Sequence, residues 1–263
     1  MPELPDVQSF KRYLDATSLH QRITGVDVQS AYVLKGVSAH ELARRLKGCR
    51  FESSRRHGKH LFVRTDGDLW LRLHFGMTGS LRYFKHEQRT PRHTRVVFVF
   101  ANTYCLAFED QRKFGEVGLV ADVDEYLGER GLGPDALDIS LSQFRELLRT
   151  HRGTVKTILL NQKLIAGIGN IYADEILFHA RMHPATDAAH LTEKIVGKLF
   201  RATRYILKKA IDAKAYVDRM PKSWLLPHRG KGGKCPRCGG ELKSATIGGR
   251  TAWFCAHCQN RTS

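Results

Sequence analysis

The spacing of apolar residues changes once along the chain. Val7, Phe10 and Leu14 recur at helical spacing behind a proline-rich start, which predicts a first helix near residues 5–18. Period two then takes over. Ile23–Val28 alternates, and residues 50–56 and 60–65 predict a hairpin closed through His57, Gly58 and Lys59. Leu69, Leu71, Leu73 and Phe75 fall on one face of a further strand. Residues 95–100 and 104–109 predict another pair, joined through Ala101, Asn102 and Thr103. Many short strands at this spacing predict a β-sandwich or barrel.

Beyond residues 131–134 (GLGP) the pattern becomes helical. Phe144, Leu147 and Leu148 are followed by Val155, Ile158 and Leu159 at helical spacing. Residues 167–170 (GIGN) interrupt the run, and a helix restarts at Ile171 and stops near Ala180, ahead of Pro184. A long helix over roughly 192–213 carries Ile195, Leu199, Ile206 and Leu207 inward, with Lys198, Arg201, Arg204, Lys208 and Lys209 as a solvated face. The glycine- and lysine-rich residues 230–234 predict a flexible, basic lead into a cysteine cluster. The fold class predicted is α+β, with a boundary near residue 133. A β-sandwich with one helix fills 1–132, a helical domain 133–222 and a cysteine finger 223–263.

Charge narrows the partners. Lys and Arg number 43 against 26 Asp and Glu, a net charge of +17. That excess favours a polyanion, with nucleic acid ahead of a membrane surface, although a basic soluble protein with no such partner would show the same balance. No run of 18 apolar residues exists to span a membrane, and the start of the chain lacks the basic leader and apolar stretch of a secretory signal. The expected compartment is the cytoplasm. Cys49 and Cys105 are isolated and predict small core residues; a disulfide between them would be unusual in a reducing compartment.

The other four cysteines form a pattern. Cys235 and Cys238 make one Cys-x2-Cys knuckle, Cys255 and Cys258 another, and sixteen residues containing two Gly-Gly pairs lie between them. Those glycines allow a hairpin that brings both knuckles to one ion. Four thiolates in a tetrahedral cage favour Zn2+, and a closed site of this kind is structural. The competing assignments are an iron–sulfur site or two redox dithiols, and the second leaves the matched spacing unexplained. At the hairpin tip Gly248 and Gly249 precede Arg250.

Five segments, in order, carry a resemblance. They are MPELPD at the start, HFGMTGS at 74–80, DQRKFG at 110–115, NQKLIAGIGNIYADEILFHARMHP at 161–184, and the finger ending FCAHCQ. Together they resemble the formamidopyrimidine-DNA glycosylase/endonuclease VIII family over the whole chain. The resemblance implies an N-terminal β-sandwich and a C-terminal helix–two-turn–helix domain with a zinc finger, gripping damaged double-stranded DNA in a cleft as a monomer. It implies an enzyme that flips out an oxidised base, cleaves its glycosidic bond and nicks the strand by β- and then δ-elimination.

Roles follow residue by residue from the same resemblance. Pro2, exposed when Met1 is removed, is the nucleophile. A terminal amine titrates at about 7.7–8.0 against about 10.4 for lysine, so far more of it is unprotonated at neutral pH. Glu3 is the acid/base at the sugar ring oxygen; an exposed helix-start carboxylate is its plainer role. Asp6 stands where family members often carry Glu. Lys59 matches a hairpin lysine, and Lys156, Asn170 and Arg250 match phosphate-gripping positions. A solvated charge run is the plainer role for Lys59 and a helix N-cap for Asn170. Met77, Arg112 and Phe114 resemble the triad that fills the void left by a flipped base; core packing is the alternative for Met77 and Phe114. Residues 212–234 are shorter than the family's usual segment, which holds a loop over a flipped 8-oxoguanine. The lesion class therefore stays open among 8-oxoguanine, formamidopyrimidines and oxidised pyrimidines. A non-catalytic zinc-dependent DNA-binding protein, or a zinc-ribbon protein of RNA or the ribosome, accounts for charge and zinc but leaves the N-terminal motif idle.

Overall fold

The computed structural model describes residues 1–259, which gather into two compact units. The first holds Met1–Pro2 and Asp6–Gly131; the second holds Glu3–Pro5 and the chain from Leu132 onward.

The first unit holds helix α1 (Leu4–Ser18) from Asp6 onward, then strand β1 (Ile23–Val28) and helix α2 (Ala39–Leu46). Strands β2 (Phe51–His57), β3 (His60–Thr65) and β4 (Trp70–His74) follow, then β5 (Gly79–Lys85), β6 (Thr94–Phe100), β7 (Tyr104–Asp110) and β8 (Glu116–Val120). Helix α3 (Val123–Glu129) ends the unit. The strands pair antiparallel in two four-stranded sheets, ordered β1-β6-β7-β5 and β2-β3-β4-β8. Phe98, Leu106 and Phe108 from one sheet and Phe51, Leu61 and Leu73 from the other share one core, joined by Val7 and Leu14 of α1 and Leu42 and Leu46 of α2. The Phe51 ring meets Phe98 edge-on at 5.9 Å. This is the expected sandwich, because alternation places every second residue of each strand inside.

Four elements, β5, β8, α2 and α3, escape the pattern of the sequence. Strands β5 and β8 lie in the glycine-bearing stretches 79–85 and 116–120, and β8 has both faces partly covered, so alternation is weak. Helix α2 has only two buried apolar residues but a sequence-legible start, since the Ser38 side chain accepts from Glu41 N–H. Strand β4 departs from a single apolar face. Arg72, on its other side, is buried and bridges Glu116 at 2.6 Å, with its guanidinium 5.1 Å from the Tyr126 ring of α3. Helix α3 covers that outer face, with Tyr126 also 5.8 Å from the Phe62 ring.

In the second unit, α4 (Leu141–Thr150) opens with a reciprocal cap between Ser140 and Gln143. Helix α5 (Val155–Leu160) follows after a break at Gly153, whose φ of +121° ends the helical run that sequence periodicity carries through. Helix α6 (Asn170–Ala180) is buried on nearly all sides and packs against α7 (Glu193–Asp212). Lys198, Arg201, Lys208 and Lys209 of α7 lie toward solvent, whereas Arg204 turns back and donates to Leu137 O at 2.8 Å. Strands β9 (Lys243–Ile247) and β10 (Arg250–Phe254) form the two-stranded finger hairpin. Among the described residues no helix is long and apolar enough to cross a membrane.

Helix α6 also carries Glu175, buried, which accepts from Leu225 N–H at 3.1 Å and Leu226 N–H at 2.7 Å. Burial lifts its carboxyl to about 7, against the backbone hydrogen bonds that pull it down. An acid whose folded value lies above its unfolded value binds its proton more tightly when folded. It therefore stabilises the fold most at low pH and loses that contribution as pH rises from 4.5 through about 7. Glu175→Gln is expected to flatten this slope in denaturation measured across that range, and to cost about 1 kcal/mol for the N–H left facing an amide.

Candidate functional site

In the second unit the Glu3 carboxylate enters the start of α6. It is 1% exposed, so an exposed helix-start role does not hold for it. Oε2 accepts from Gly169 N–H at 2.8 Å and Tyr172 N–H at 3.2 Å, and Oε1 from Ile171 N–H at 2.8 Å. These donors have no partner inside the helix, and the helix dipole adds to the attraction for an anion. The sequence GIGN follows from this packing. A Cβ on Gly169 would fall on the Glu3 carboxylate, and one on Gly167, at φ +114°, would lie 2.6 Å from Leu4 Cδ1. Leu4 N–H donates to Gly167 O at 3.0 Å. Gln162, which sequence reasoning missed, holds the loop from inside: its Nε2 donates to Ile168 O at 2.8 Å and its Oε1 accepts from Gly167 N–H at 3.0 Å. Pro2 is half-buried and directly precedes Glu3, and Asp6 lies in the first turn of α1.

Asn170 is the first residue of α6 and Gly169 is its N-cap, so the plainer role of a helix cap falls to Gly169. The Asn170 Nδ2 donates to Thr251 O at 2.9 Å, and its Oδ1 is buried with no hydrogen-bond partner among the described residues. Lys156 departs furthest from expectation. Its side chain is 0% exposed, and Nζ lies 2.5 Å from Asp174 Oδ1 and 3.3 Å from Thr251 O. Burial makes its amine hold a proton less tightly than usual, opposed by the Asp174 charge. In this geometry the ammonium is walled in by the carboxylate that neutralises it.

Asp174 is the second residue that sequence reasoning missed, although it stands inside the GIGNIYADE motif. Besides Lys156 it accepts from Arg229 Nη2 at 2.8 Å and from Trp253 N–H at 3.0 Å. One carboxylate thus ties α5, α6, the segment at 229 and strand β10. Gly248 and Gly249, at φ +56° and +71°, make the two-residue turn before β10, and Arg250 stands exposed just beyond it.

In the first unit, Lys59 sits in the two-residue turn between β2 and β3 with Gly58 at φ +54°. Arg56 braces this tip, donating to Gly58 O at 3.1 Å and Gln8 Oε1 at 2.8 Å. His60 and His74 face each other across β3 and β4 with ring centroids 4.8 Å apart. Burial pushes both below the ordinary imidazole value, and nearby cations, Lys59 and Arg72 among those acting on His74, push the same way. His74 Nδ1 accepts Gly76 N–H at 3.3 Å. Met77 is 39% exposed and Phe114 is 52% exposed, so core packing does not account for them. Arg112 is exposed too, its guanidinium 5.0 Å from the Phe114 ring.

The four finger thiols meet as their spacing predicts. All Sγ atoms of Cys235, Cys238, Cys255 and Cys258 lie within 4.8 Å of one another, with Cys235–Cys258 at 3.9 Å and Cys238–Cys255 at 3.6 Å. Tetrahedral zinc with bonds of about 2.3 Å sets its sulfurs about 3.8 Å apart, so the residues fit the ion. Cys49 is half-buried and Cys105 buried, both free.

Three family models match the chain. They are the formamidopyrimidine-DNA glycosylase N-terminal domain over residues 1–117, the formamidopyrimidine-DNA glycosylase H2TH domain over 131–220, and a zinc finger found in FPG and IleRS over 232–261. A formamidopyrimidine-DNA glycosylase of Pelotomaculum thermopropionicum is 33% identical, covering 98% of this chain and 99% of its own. The Lactococcus lactis formamidopyrimidine-DNA glycosylase, solved non-covalently bound to DNA containing an AP site, is 30% identical with a TM-score of 0.88 over 98% of this chain and 99% of its own. A mutant of the same organism's glycosylase, solved with DNA containing Fapy-dG, superposes with a TM-score of 0.89 at 30% identity.

Chelation is expected to release one zinc per chain and to alter the emission of Trp253, whose strand the ion secures. Elemental analysis finding no zinc in the purified protein would remove the four-thiolate site.

Proposed function

The chain belongs to the formamidopyrimidine-DNA glycosylase family, and from that premise we propose that it excises oxidised bases from duplex DNA and cuts the emptied strand through the amine of Pro2. The observation that carries the proposal is the Glu3 carboxylate, buried and held by three N–H groups of the α6 start, in the residue next to Pro2. A carboxylate so fixed is oriented before substrate arrives, which is what proton transfer at a sugar oxygen requires.

With Met1 removed, the Pro2 nitrogen is a secondary amine carrying a lone pair. It bonds to the sugar C1′ as the C1′–base bond breaks, and the departing base takes a proton from water. The proton shed by the Pro2 nitrogen passes to the Glu3 carboxylate, which delivers it to the ring oxygen as the C1′–O4′ bond opens. The product is an iminium, cationic without a further proton because the amine is secondary. That cation draws electrons from the C2′–H bond; loss of the C2′ proton expels the 3′ phosphate, and a second elimination expels the 5′ phosphate.

Lys59, Asn170 and Arg250 grip the phosphates beside the lesion. Two cations and an amide at the start of a helix suit phosphate oxygens, which accept hydrogen bonds and carry negative charge. Lys156 serves the grip from inside, through the Asp174 and Thr251 contacts that hold Asn170 and strand β10 together. Met77, Arg112 and Phe114 fill the void in the duplex, with Arg112 paired to the orphaned base. The zinc holds the finger rigid and takes no part in the reaction. Formamidopyrimidine purines are the first substrates to test, since the relatives carry that lesion in their names. The short 212–234 segment makes 8-oxoguanine and oxidised pyrimidines the informative comparison. The enzyme works as a monomer on DNA in the cytoplasm.

Borohydride reduction in the presence of an abasic duplex is expected to trap a covalent adduct with protein that mass measurement shows to begin at Pro2, and none with acetylated or Met-retaining protein. Absence of an adduct with the processed protein rejects the mechanism. Glu3→Gln is expected to slow base excision by about 10²–10⁴-fold while still being trapped on a ready-made abasic site.

A further inference from the structure

Two loops of the first unit carry the exposed Met77, Arg112 and Phe114, and one buried carboxylate holds both. Asp110, the last residue of β7, is 0% exposed. Its Oδ1 accepts the Thr78 hydroxyl at 2.5 Å and its Oδ2 accepts Gly115 N–H at 2.6 Å. Arg112 N–H is shared between Thr78 Oγ1 at 3.0 Å and Asp110 Oδ1 at 3.2 Å. Thr78 follows Met77 in one loop; Arg112 and Gly115 bracket Phe114 in the other. Glycine makes this closeness possible. A Cβ on Gly76 would overlap the backbone of Phe114, and one on Gly115 would lie 2.7 Å from Phe108 Cζ and 3.0 Å from Asp110 Oδ2. From behind, Arg95 Nε donates to Asp110 O at 2.8 Å and fixes the strand end.

We propose that Asp110, acting through Thr78, is a positioning residue that locks the Met77 loop and the Arg112–Phe114 loop into one rigid wedge. The inference rests on the reading that Met77, Arg112 and Phe114 fill the void of a flipped base. A void-filler must hold its place against a stacked duplex, and unstacking a step costs a few kcal/mol. Met77 and Phe114 are exposed and receive little support from packing. Their placement comes from the loops that carry them, and the same two oxygens bind two backbone N–H groups of one loop and the Thr78 hydroxyl of the other. Asparagine replaces the aspartate poorly: turned one way its amide N–H faces Gly115 N–H, and turned the other it faces Arg112 N–H and a Thr78 hydroxyl that loses its acceptor. Thr78 is needed for its hydroxyl, which donates to the carboxylate while accepting from Arg112; a serine in its place would keep both bonds and a valine neither.

The test compares Asp110→Asn, Thr78→Val and Thr78→Ser with Met77→Ala and Phe114→Ala. Single-turnover excision is measured from lesion duplexes with cytosine or adenine opposite, and borohydride trapping on an abasic single strand, which has no void to fill. Asp110→Asn and Thr78→Val are expected to slow duplex excision about tenfold or more, to narrow the difference between opposite bases, and to leave single-strand trapping undiminished. Thr78→Ser is expected to behave as the parent. Thr78 is exposed, so Thr78→Val decides the matter if Asp110→Asn does not fold. Duplex excision unchanged in Thr78→Val while Met77→Ala and Phe114→Ala are slowed overturns the lock. So does a fall in single-strand trapping that keeps step with duplex excision. If Met77→Ala and Phe114→Ala are themselves unimpaired, the void-filling reading fails and the lock with it.

Discussion

Three backbone N–H groups at the start of α6 converge on the two oxygens of Glu3. A buried carboxylate is costly unless its lone pairs are satisfied, and a helix start is one of the few places where unused donors point at one spot. The contact also needs a glycine opposite the carboxylate, since any side chain at position 169 would occupy its place. It holds the residue to which Pro2 is bonded. The first residues of a chain are ordinarily the least ordered; here Glu3 and Leu4 are both pinned by hydrogen bonds, Glu3 to α6 and Leu4 to Gly167.

The same device recurs twice. Asp174 accepts from Lys156, Arg229 and Trp253 N–H, and so joins helices to the finger strand that follows Arg250. Asp110 accepts from Thr78, Arg112 N–H and Gly115 N–H, and so joins two exposed loops. In a chain with 43 Lys and Arg against 26 Asp and Glu, these acids are withdrawn from the surface. That placement suits a partner made of phosphates. Cations stay exposed, along α7 and at Arg250, and Asp174 holds the strand that carries Arg250.

The division between grip and support also explains Lys156 and Asn170. Both belong to the motif-bearing second unit, and both reach Thr251 O, yet Asn170 stays half-buried at the helix start while Lys156 is enclosed. A lysine in sequence is a charge of unknown depth. Its burial depends on whether an acid from another element arrives to neutralise it, and Asp174 lies eighteen residues away along the chain.

The sequence by itself determined the α+β class, the sandwich strands with clean alternation, the long basic helix and the four-thiolate cage. Each is set by local periodicity or by ligand spacing, which survive without knowledge of the rest of the chain. It also carried the family through motifs that run from MPELPD to FCAHCQ. Tertiary structure alone decided why those motifs hold the residues they do. Gly169 is glycine because Glu3 occupies the space of its Cβ, Gly76 because Phe114 passes beside it, and Asp110 is buried because three donors from two loops meet there. These are contacts between residues apart in sequence, and no spacing along the chain records which side chain will fill the space a glycine leaves.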